Sequence, residues 1–429
     1  MFNAEGLKKE LFSGKYDNTF KKLYPNSKNV AERYAYVVDK FVDKYGDSEG
    51  LRFFSAPGRT EVGGNHTDHQ QGCVLAAGVD LDVIAVARKT DTGIIRIQSE
   101  GFAEDVIDLS VLTPQEDEIE HAPALVRGVA ARFKQLGYEI GGFDAYTTSN
   151  VLKGSGLSSS AAFEVLVCTL LNSLYNDDKM DSVQKAIVSQ YAENEFFKKP
   201  CGLMDQMACS YGGFVGIDFD DTANPVIEKV DFDFAAVDHS LCIVDTGGCH
   251  ADLTADYAGV PAEMKAVAAV FGKGVLRDVD EDEFYKNIAK VREKTNDRAV
   301  LRAIHFFNDN RRAVELKELL KKNDFEGFKR TIIESGRSSL GCLQNVFAAS
   351  NPGEQGLTLA LTITEKLLGG KGAFRVHGGG FAGTIQAFVP NDILDTYKKE
   401  IEKIFGEDKC YVLSIRPVGG VEVTPELFD

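Results

Sequence analysis

Gly154-Ser155-Gly156-Leu157-Ser158-Ser159-Ser160 runs into Ala161-Ala162 and then into an apolar segment over residues 163–174. This join constrains the fold more than any other stretch of the chain. A small-residue loop opening directly into a helix leaves free backbone N–H groups at the positive end of the helix dipole, and such a junction attracts an anion. The small side chains let a phosphate approach closely. The same pattern also describes an ordinary turn before a helix, so a nucleotide reading needs support from elsewhere in the chain.

The 429 residues exceed what one hydrophobic core usually holds, so two domains are expected. A net charge of −17 disfavours a protein that holds nucleic acid through its overall field, while leaving room for a local basic pocket around a phosphorylated small molecule. Cys73, Cys168, Cys201, Cys209, Cys242, Cys249, Cys342 and Cys410 are scattered without a C-x-x-C pair, which argues against a zinc ribbon and fits reduced thiols. No apolar run reaches membrane-spanning length, and Glu5, Lys8, Lys9 and Glu10 interrupt any signal-type core. These features read as a soluble, cytoplasmic protein with neither nucleic acid nor membrane as partner.

Val30, Tyr34, Val37, Val38, Phe41, Val42 and Tyr45 recur at helical spacing, so residues 1–50 read as a helical extension packed on the body. Strand-like runs follow at 51–55 and 74–88, helices at 122–136 and 183–197, and a strand at 213–218 before an acidic turn at 218–221. The boundary between a domain 51–218 and a domain 219–429 is placed at that turn. The second half carries helices at 262–271, 280–294 and 308–322, then strand, turn and strand over 373–389.

Between the first two strand runs lies Ala56-Pro57-Gly58-Arg59-Thr60-Glu61-Val62-Gly63-Gly64-Asn65-His66-Thr67-Asp68-His69, a loop in which a guanidinium, two imidazoles, a carboxylate and an amide crowd together. Such groups suit a polyhydroxylated ligand. His66 and His69 flank Asp68 but lack a well-spaced third nitrogen or sulfur ligand for a transition metal. Further on, Gly378, Gly380 and Gly383 in Arg375-Val376-His377-Gly378-Gly379-Gly380-Phe381-Ala382-Gly383-Thr384 satisfy the spacing G-x-G-x-x-G. The stretch 384–389 that follows is β-branched and aromatic, so the glycines read as a strand-to-strand turn approaching a ligand or the other glycine-rich loop, not as a dinucleotide site. Asp205, in Cys201-Gly202-Leu203-Met204-Asp205-Gln206-Met207, sits among apolar neighbours and must be paired, functional, or an N-cap.

In this order the three motifs resemble those of the galactose, homoserine, mevalonate and phosphomevalonate kinase superfamily, specifically its galactokinase branch, from residue 53 to the C-terminus. The loop at 56–69 resembles the signature Gly-Arg-x-Asn-Leu-Ile-Gly-Glu-His-Thr-Asp-Tyr, the serine-rich stretch a Gly-Leu-Ser-Ser-Ser-Ala phosphate loop, and the third motif Gly-Gly-Gly-Phe-Gly-Gly. Ala192-Glu193-Asn194-Glu195-Phe196 with Pro200 to Gln206, and Arg302-Ala303-Ile304-His305 with Asn310-Arg311-Arg312, are similar to that branch too.

The resemblance implies a two-domain α+β fold with the active site in the interdomain cleft, and ATP-dependent phosphorylation of a sugar at C1, galactose first. It gives Asp205 the C1 hydroxyl proton and Arg59 the stabilisation of that carboxylate and of the transferring phosphoryl group. Gly154, Ser155, Gly156, Leu157, Ser158, Ser159 and Ser160 would bind the nucleotide; Ser159 or Ser160 with Glu193 would hold Mg²⁺. Asn65, His66, Asp68, Gly202 and Tyr257 would line the sugar pocket.

Departures matter for specificity. Asn65 stands at the signature's glutamate, expected at the sugar's 6-hydroxyl, and His69 at its tyrosine; loss of the charge and the run Asp68-His69-Gln70 are similar to relatives that act on galacturonate. Leu152, Lys153 and Ala382 also differ from the pattern, and Phe347-Ala348-Ala349-Ser350 lacks a Pro-Glu-Leu-Asp-like run. A non-catalytic sugar-sensing regulator would lack the intact serine loop, and kinases for isoprenoid or homoserine substrates would lack the His-Thr-Asp loop. Monomer and homodimer both remain open.

Overall fold

The computed structural model describes residues 3–47, 49–151, 156–248 and 253–428. Their strands are β1 (Arg52–Gly63), β2 (Cys73–Lys89), β3 (Ile94–Ser99), β4 (Glu104–Asp108), β5 (Phe143–Ser149), β6 (Phe214–Asp218), β7 (Val226–Val230), β8 (His239–Asp245), β9 (Ala373–Val376), β10 (Thr384–Pro390), β11 (Cys410–Leu413) and β12 (Val421–Glu422). They form two sheets. The larger has the order β12-β1-β2-β5-β3-β4, with β6 beside β2 and β7 beside β6; the smaller runs β11-β8-β10-β9. Only β3 and β5 pair in parallel.

β1 carries the chain toward the site. It continues past the expected end at residue 55 to Gly63, so half of the expected polar loop is strand. Its backbone pairs with β2 across register shifts between Pro57 and Arg59 and between Glu61 and Gly63. Bulges of this kind accommodate a proline and re-aim side chains, and these two bracket Arg59, Thr60 and Glu61.

On one face of this sheet lies helix Ser159–Asn176, buried along most of its length by Val165, Leu166, Leu170 and Leu171. On the other lie the N-terminal helices. Tyr34, Val37, Val38 and Phe41 of helix Val30–Tyr45 form the apolar stripe read from the sequence, packing with Phe20, Leu23 and Phe53; the Tyr34 and Phe53 rings meet edge-on at 5.0 Å.

The expected break at residue 218 is not a break in the sheet. β7 returns to pair with β6, and β12, from the far end of the chain, pairs with β1 through Phe54 and Glu422. The second half otherwise follows expectation with adjusted limits. Helix Thr254–Val270 starts earlier than 262, and helix Asp297–Lys321 starts earlier than 308 and ends one residue short of the expected 322. The 280–294 helix divides at Asn287, whose side-chain amide donates back to Glu283 O at 2.9 Å. The 183–197 segment is helix Ser182–Tyr191 followed by a π-helical turn, Ala192–Phe197, a form concentrated at functional sites. β9 and β10 pair antiparallel across the third motif, so a strand follows the glycines and a dinucleotide-binding helix does not. Among the described residues no helix is long and apolar enough to cross a membrane.

Candidate active site

Arg59, on the bulged part of β1, is 8 % exposed, and its Nε donates to Asp205 Oδ1 at 2.7 Å, with Nη2 at the same distance. Its Nη1 donates to Gly156 O, and its backbone N–H to Leu157 O at 3.0 Å. A side chain at Gly58 would meet Leu157 O at 2.8 Å, so glycine there lets strand and loop close together. Asp205 is the second residue of helix Met204–Tyr211, whose N-cap is Leu203; the N-cap alternative for Asp205 is thereby set aside. Its other oxygen accepts from Ser158 Oγ. At 30 % exposure the Asp205 side chain keeps one side open, while the arginine that neutralises it is buried. A carboxylate so held is fixed in place and hydrogen-bonded, and its open side can accept a hydroxyl proton.

Ser158 precedes helix Ser159–Asn176 in the left-handed region at φ 57, turning its hydroxyl to Asp205 and leaving Ser159 and Ser160 in the first turn. Leu157 is buried and enters this junction through its carbonyl. Gly154 and Ser155, with Leu152 and Lys153, lie outside the described residues. Ser160 Oγ approaches Glu193 Oε1 at 3.4 Å, and Gln206 Nε2 donates to Glu193 Oε2 at 2.7 Å and to Glu164 Oε2 at 3.1 Å. Burial, then the Glu193 charge, raise Glu164 well above the usual carboxylate range. Lys199 Nζ also donates to Glu193 Oε1, at 2.8 Å. No group of three or more His, Cys, Asp or Glu side chains able to hold a metal exists among the described residues. Hydroxyl and carboxylate donors beside a helix N-terminus suit a hard ion completed by phosphate oxygens.

The sugar loop is divided in two. Asp68 and Gly202 lie close together: a side chain at Gly202 would stand 3.1 Å from Asp68 Oδ2, which accepts no hydrogen bond from the described residues. His66, in the left-handed region at φ 58, has its Nε2 at 2.9 Å from Gly379 O, and burial lowers its pKa so that the ring is neutral and donates there. Burial pushes His69 down to about 4, and the two imidazoles meet edge-on at 5.5 Å. Tyr257 donates to Gly380 O at 2.7 Å and lies edge-on to Phe381.

Asn65 does not line the pocket. It is fully buried, donates to Glu61 Oε1 and Gly378 O, both at 2.8 Å, and accepts from Asn345 Nδ2 at 2.9 Å and Ser339 Oγ at 3.2 Å. Its backbone N–H donates to Asp309 and its carbonyl accepts from His305 Nε2 at 2.9 Å. The expectation that this amide faces a sugar hydroxyl is therefore corrected: every polar atom of Asn65 is engaged inside the protein.

Sequence reasoning passed over the reason. Glu61 stands at the asparagine position of the signature and Asn65 at its glutamate, so carboxylate and amide have exchanged places within one hydrogen-bonded pair. Arg375 Nη2 completes it at 3.0 Å, and burial still pushes Glu61 up to about 7 against the pull of Arg375 and Arg59. The exchange is visible in the sequence once both positions are read together. His377 had no such signal. Its ring lies between Thr60 Oγ1 at 3.1 Å and Thr384 Oγ1 at 3.0 Å, and Gly378 faces Gly156, its substituent position 3.9 Å from the Gly156 Cα. The third motif thus reaches the serine-rich loop, as the strand-turn-strand reading anticipated.

Residues 39–89 match the galactokinase galactose-binding signature, and residues 124–213 the GHMP kinases N terminal domain. A galactokinase of Streptomyces coelicolor is 30 % identical over 377 residues, 86 % of this chain and 92 % of the relative. One from Pyrococcus furiosus is 30 % identical over 375 residues, 86 % and 98 % respectively. The crystal structure of Lactococcus lactis galactokinase complexed with galactose superimposes with a TM-score of 0.76 at 24 % identity, covering 91 % of this chain and all of that one. A mevalonate kinase structure follows at 0.57 and 15 % identity, over 85 % and 98 %, which extends the shared two-domain fold beyond sugar kinases. With near full-length relatives at 30 % identity, and with Arg59, Asp205 and the serine-rich helix start brought to one place, the chain belongs to the galactokinase family.

Proposed function

We propose that the protein transfers the γ-phosphoryl group of ATP to the anomeric C1 hydroxyl of D-galactose. The observation that carries this is the Asp205 carboxylate, clamped by buried Arg59 and by Ser158 at the start of helix Ser159–Asn176, with one side open. The phosphates lie at the start of helix Ser159–Asn176, beside Gly156 to Ser160, where the backbone N–H groups and helix dipole neutralise them. Asp205 accepts or orients the C1 proton, and Arg59 holds Asp205 in place while facing the charge that develops on the phosphoryl oxygens. Asp68, His66, Gly202 and Tyr257 surround the sugar. Glu193 with Ser160 or Ser159 would hold Mg²⁺, which would supply charge neutralisation for the nucleotide's phosphates. ATP and Mg²⁺ are thus the co-substrate and cofactor.

Galactose leads galacturonate here because the near full-length relatives at 30 % identity are galactokinases; the buried Asn65 amide selects neither for nor against a group at C6 by direct contact. A coupled assay of ADP release across galactose, N-acetylgalactosamine, arabinose and galacturonate, with wild type and Asp205→Asn, tests the reading. Galactose is expected to give the highest kcat/KM, and Asp205→Asn to lower kcat by about a hundredfold or more with the fold intact. Unchanged turnover in that variant, or a tenfold preference for galacturonate, refutes it.

A further inference from the structure

The turn after the Glu193 segment brings a cation onto the carboxylate assigned above to a metal. The π-helical turn Ala192–Phe197 ends at Lys198 in the left-handed region, and the Lys199 N–H returns to Glu193 O at 3.1 Å. That reversal lays the Lys199 side chain over the same residue, where Nζ reaches Glu193 Oε1 at 2.8 Å. Oε1 is the oxygen approached by Ser160 Oγ, whereas Oε2 is taken by Gln206. The lysine and an incoming metal therefore address one oxygen.

Glu164 and Asp205 also lie within the field of the ammonium, and Glu164 Oε1 is buried with no hydrogen-bond partner. The lysine side chain is 58 % exposed and the glutamate 3 %, so the ammonium can swing away while the carboxylate stays.

We propose that Lys199 is a built-in competitor for the divalent cation at Glu193, displaced when the metal arrives with nucleotide; this rests on reading Glu193 as a metal ligand. A lone divalent ion must break the Lys199–Glu193 pair and then stand near the ammonium it expelled. Nucleotide reverses that balance, since its phosphates supply the oxygens the metal lacks and give the released ammonium an anionic partner. The metal then enters as a metal–nucleotide complex, and free divalent ions do not fill the site ahead of ATP.

Mn²⁺ binding, read from the paramagnetic resonance of the free ion, tests this on the full chain with and without ADP. Without nucleotide, Lys199→Met is expected to bind Mn²⁺ about tenfold tighter than wild type, while Lys199→Arg, which keeps the charge, stays weak. Equal affinity in wild type and Lys199→Met overturns the competition. So does a gain in Lys199→Met that persists when Glu193→Gln is added, because the effect then lies at another carboxylate. Glu193→Gln with ADP present separates the underlying reading: unchanged Mn²⁺–ADP affinity there removes Glu193 as a metal ligand, whatever Lys199 does.

Discussion

Asn65 and Glu61 form a pair whose members are each meaningful only with the other. Asn65→Glu alone sets two carboxylates against each other in a buried place and strips Gly378 O of its donor. That substitution is expected to destabilise the protein by about 3 kcal/mol or more. Glu61→Asn/Asn65→Glu restores one acid and one amide, and most of the loss should return, giving a coupling of about 2 kcal/mol in a double-mutant cycle measured by denaturant unfolding. Additive single effects would show that the two side chains act independently. The pair also marks a limit of sequence reading. The substitution at 65 is plain in the sequence, but the amide's inward direction depends on Ser339, Asn345 and Gly378, far away along the chain. Arg59 and Asp205 were legible because a charged group among small or apolar neighbours has few fates other than pairing or chemistry.

Helix Ser159–Asn176 illustrates the same contrast among elements. Its apolar run and serine-rich start were legible, because both follow from local composition. The left-handed Ser158 is not, since its hydroxyl is engaged by Asp205 from outside the helix. Glycine tolerates that backbone and alanine does not, so Ser158→Gly should be more stable than Ser158→Ala by about 1 kcal/mol in thermal or denaturant melts. Both lose the hydroxyl on Asp205 and should share a lower kcat. Equal stability would mean that the φ of 57 stores no strain. β1 is shorter in the sequence pattern than in the fold for a related reason. Pro57, Gly58 and the charges after them resemble a loop, yet β2 satisfies their backbone through two register shifts, and only pairing with a distant strand reveals it.

For the molecule as a whole, the first sheet and the C-terminal tail meet in buried polar contacts. Asp82 accepts from Arg416 at 2.9 Å and from Arg33 at 2.6 Å, tying tail, sheet and N-terminal helices together. Beside it, Asp80 accepts from Ser414 N–H at 2.9 Å, and burial pushes its pKa up to about 7. The native state thus holds this proton more tightly than the unfolded chain, whose aspartate titrates near 3.9. Its contribution is full below that value and is lost as pH rises toward about 7, at up to roughly 1.4 kcal/mol per pH unit. Asp80→Asn, which removes the titration, should gain stability relative to wild type from pH 5 to pH 8; a constant difference across that range would assign the pH response elsewhere. The pairing of β12 with β1 has a consequence for biosynthesis. Arg52 and Glu422, joined by a salt bridge, are 370 residues apart in sequence. A growing chain exposes an unfinished sheet edge until the ribosome has released residue 422, so the nascent protein must rely on chaperones or on speed to guard that edge through almost the whole of its translation.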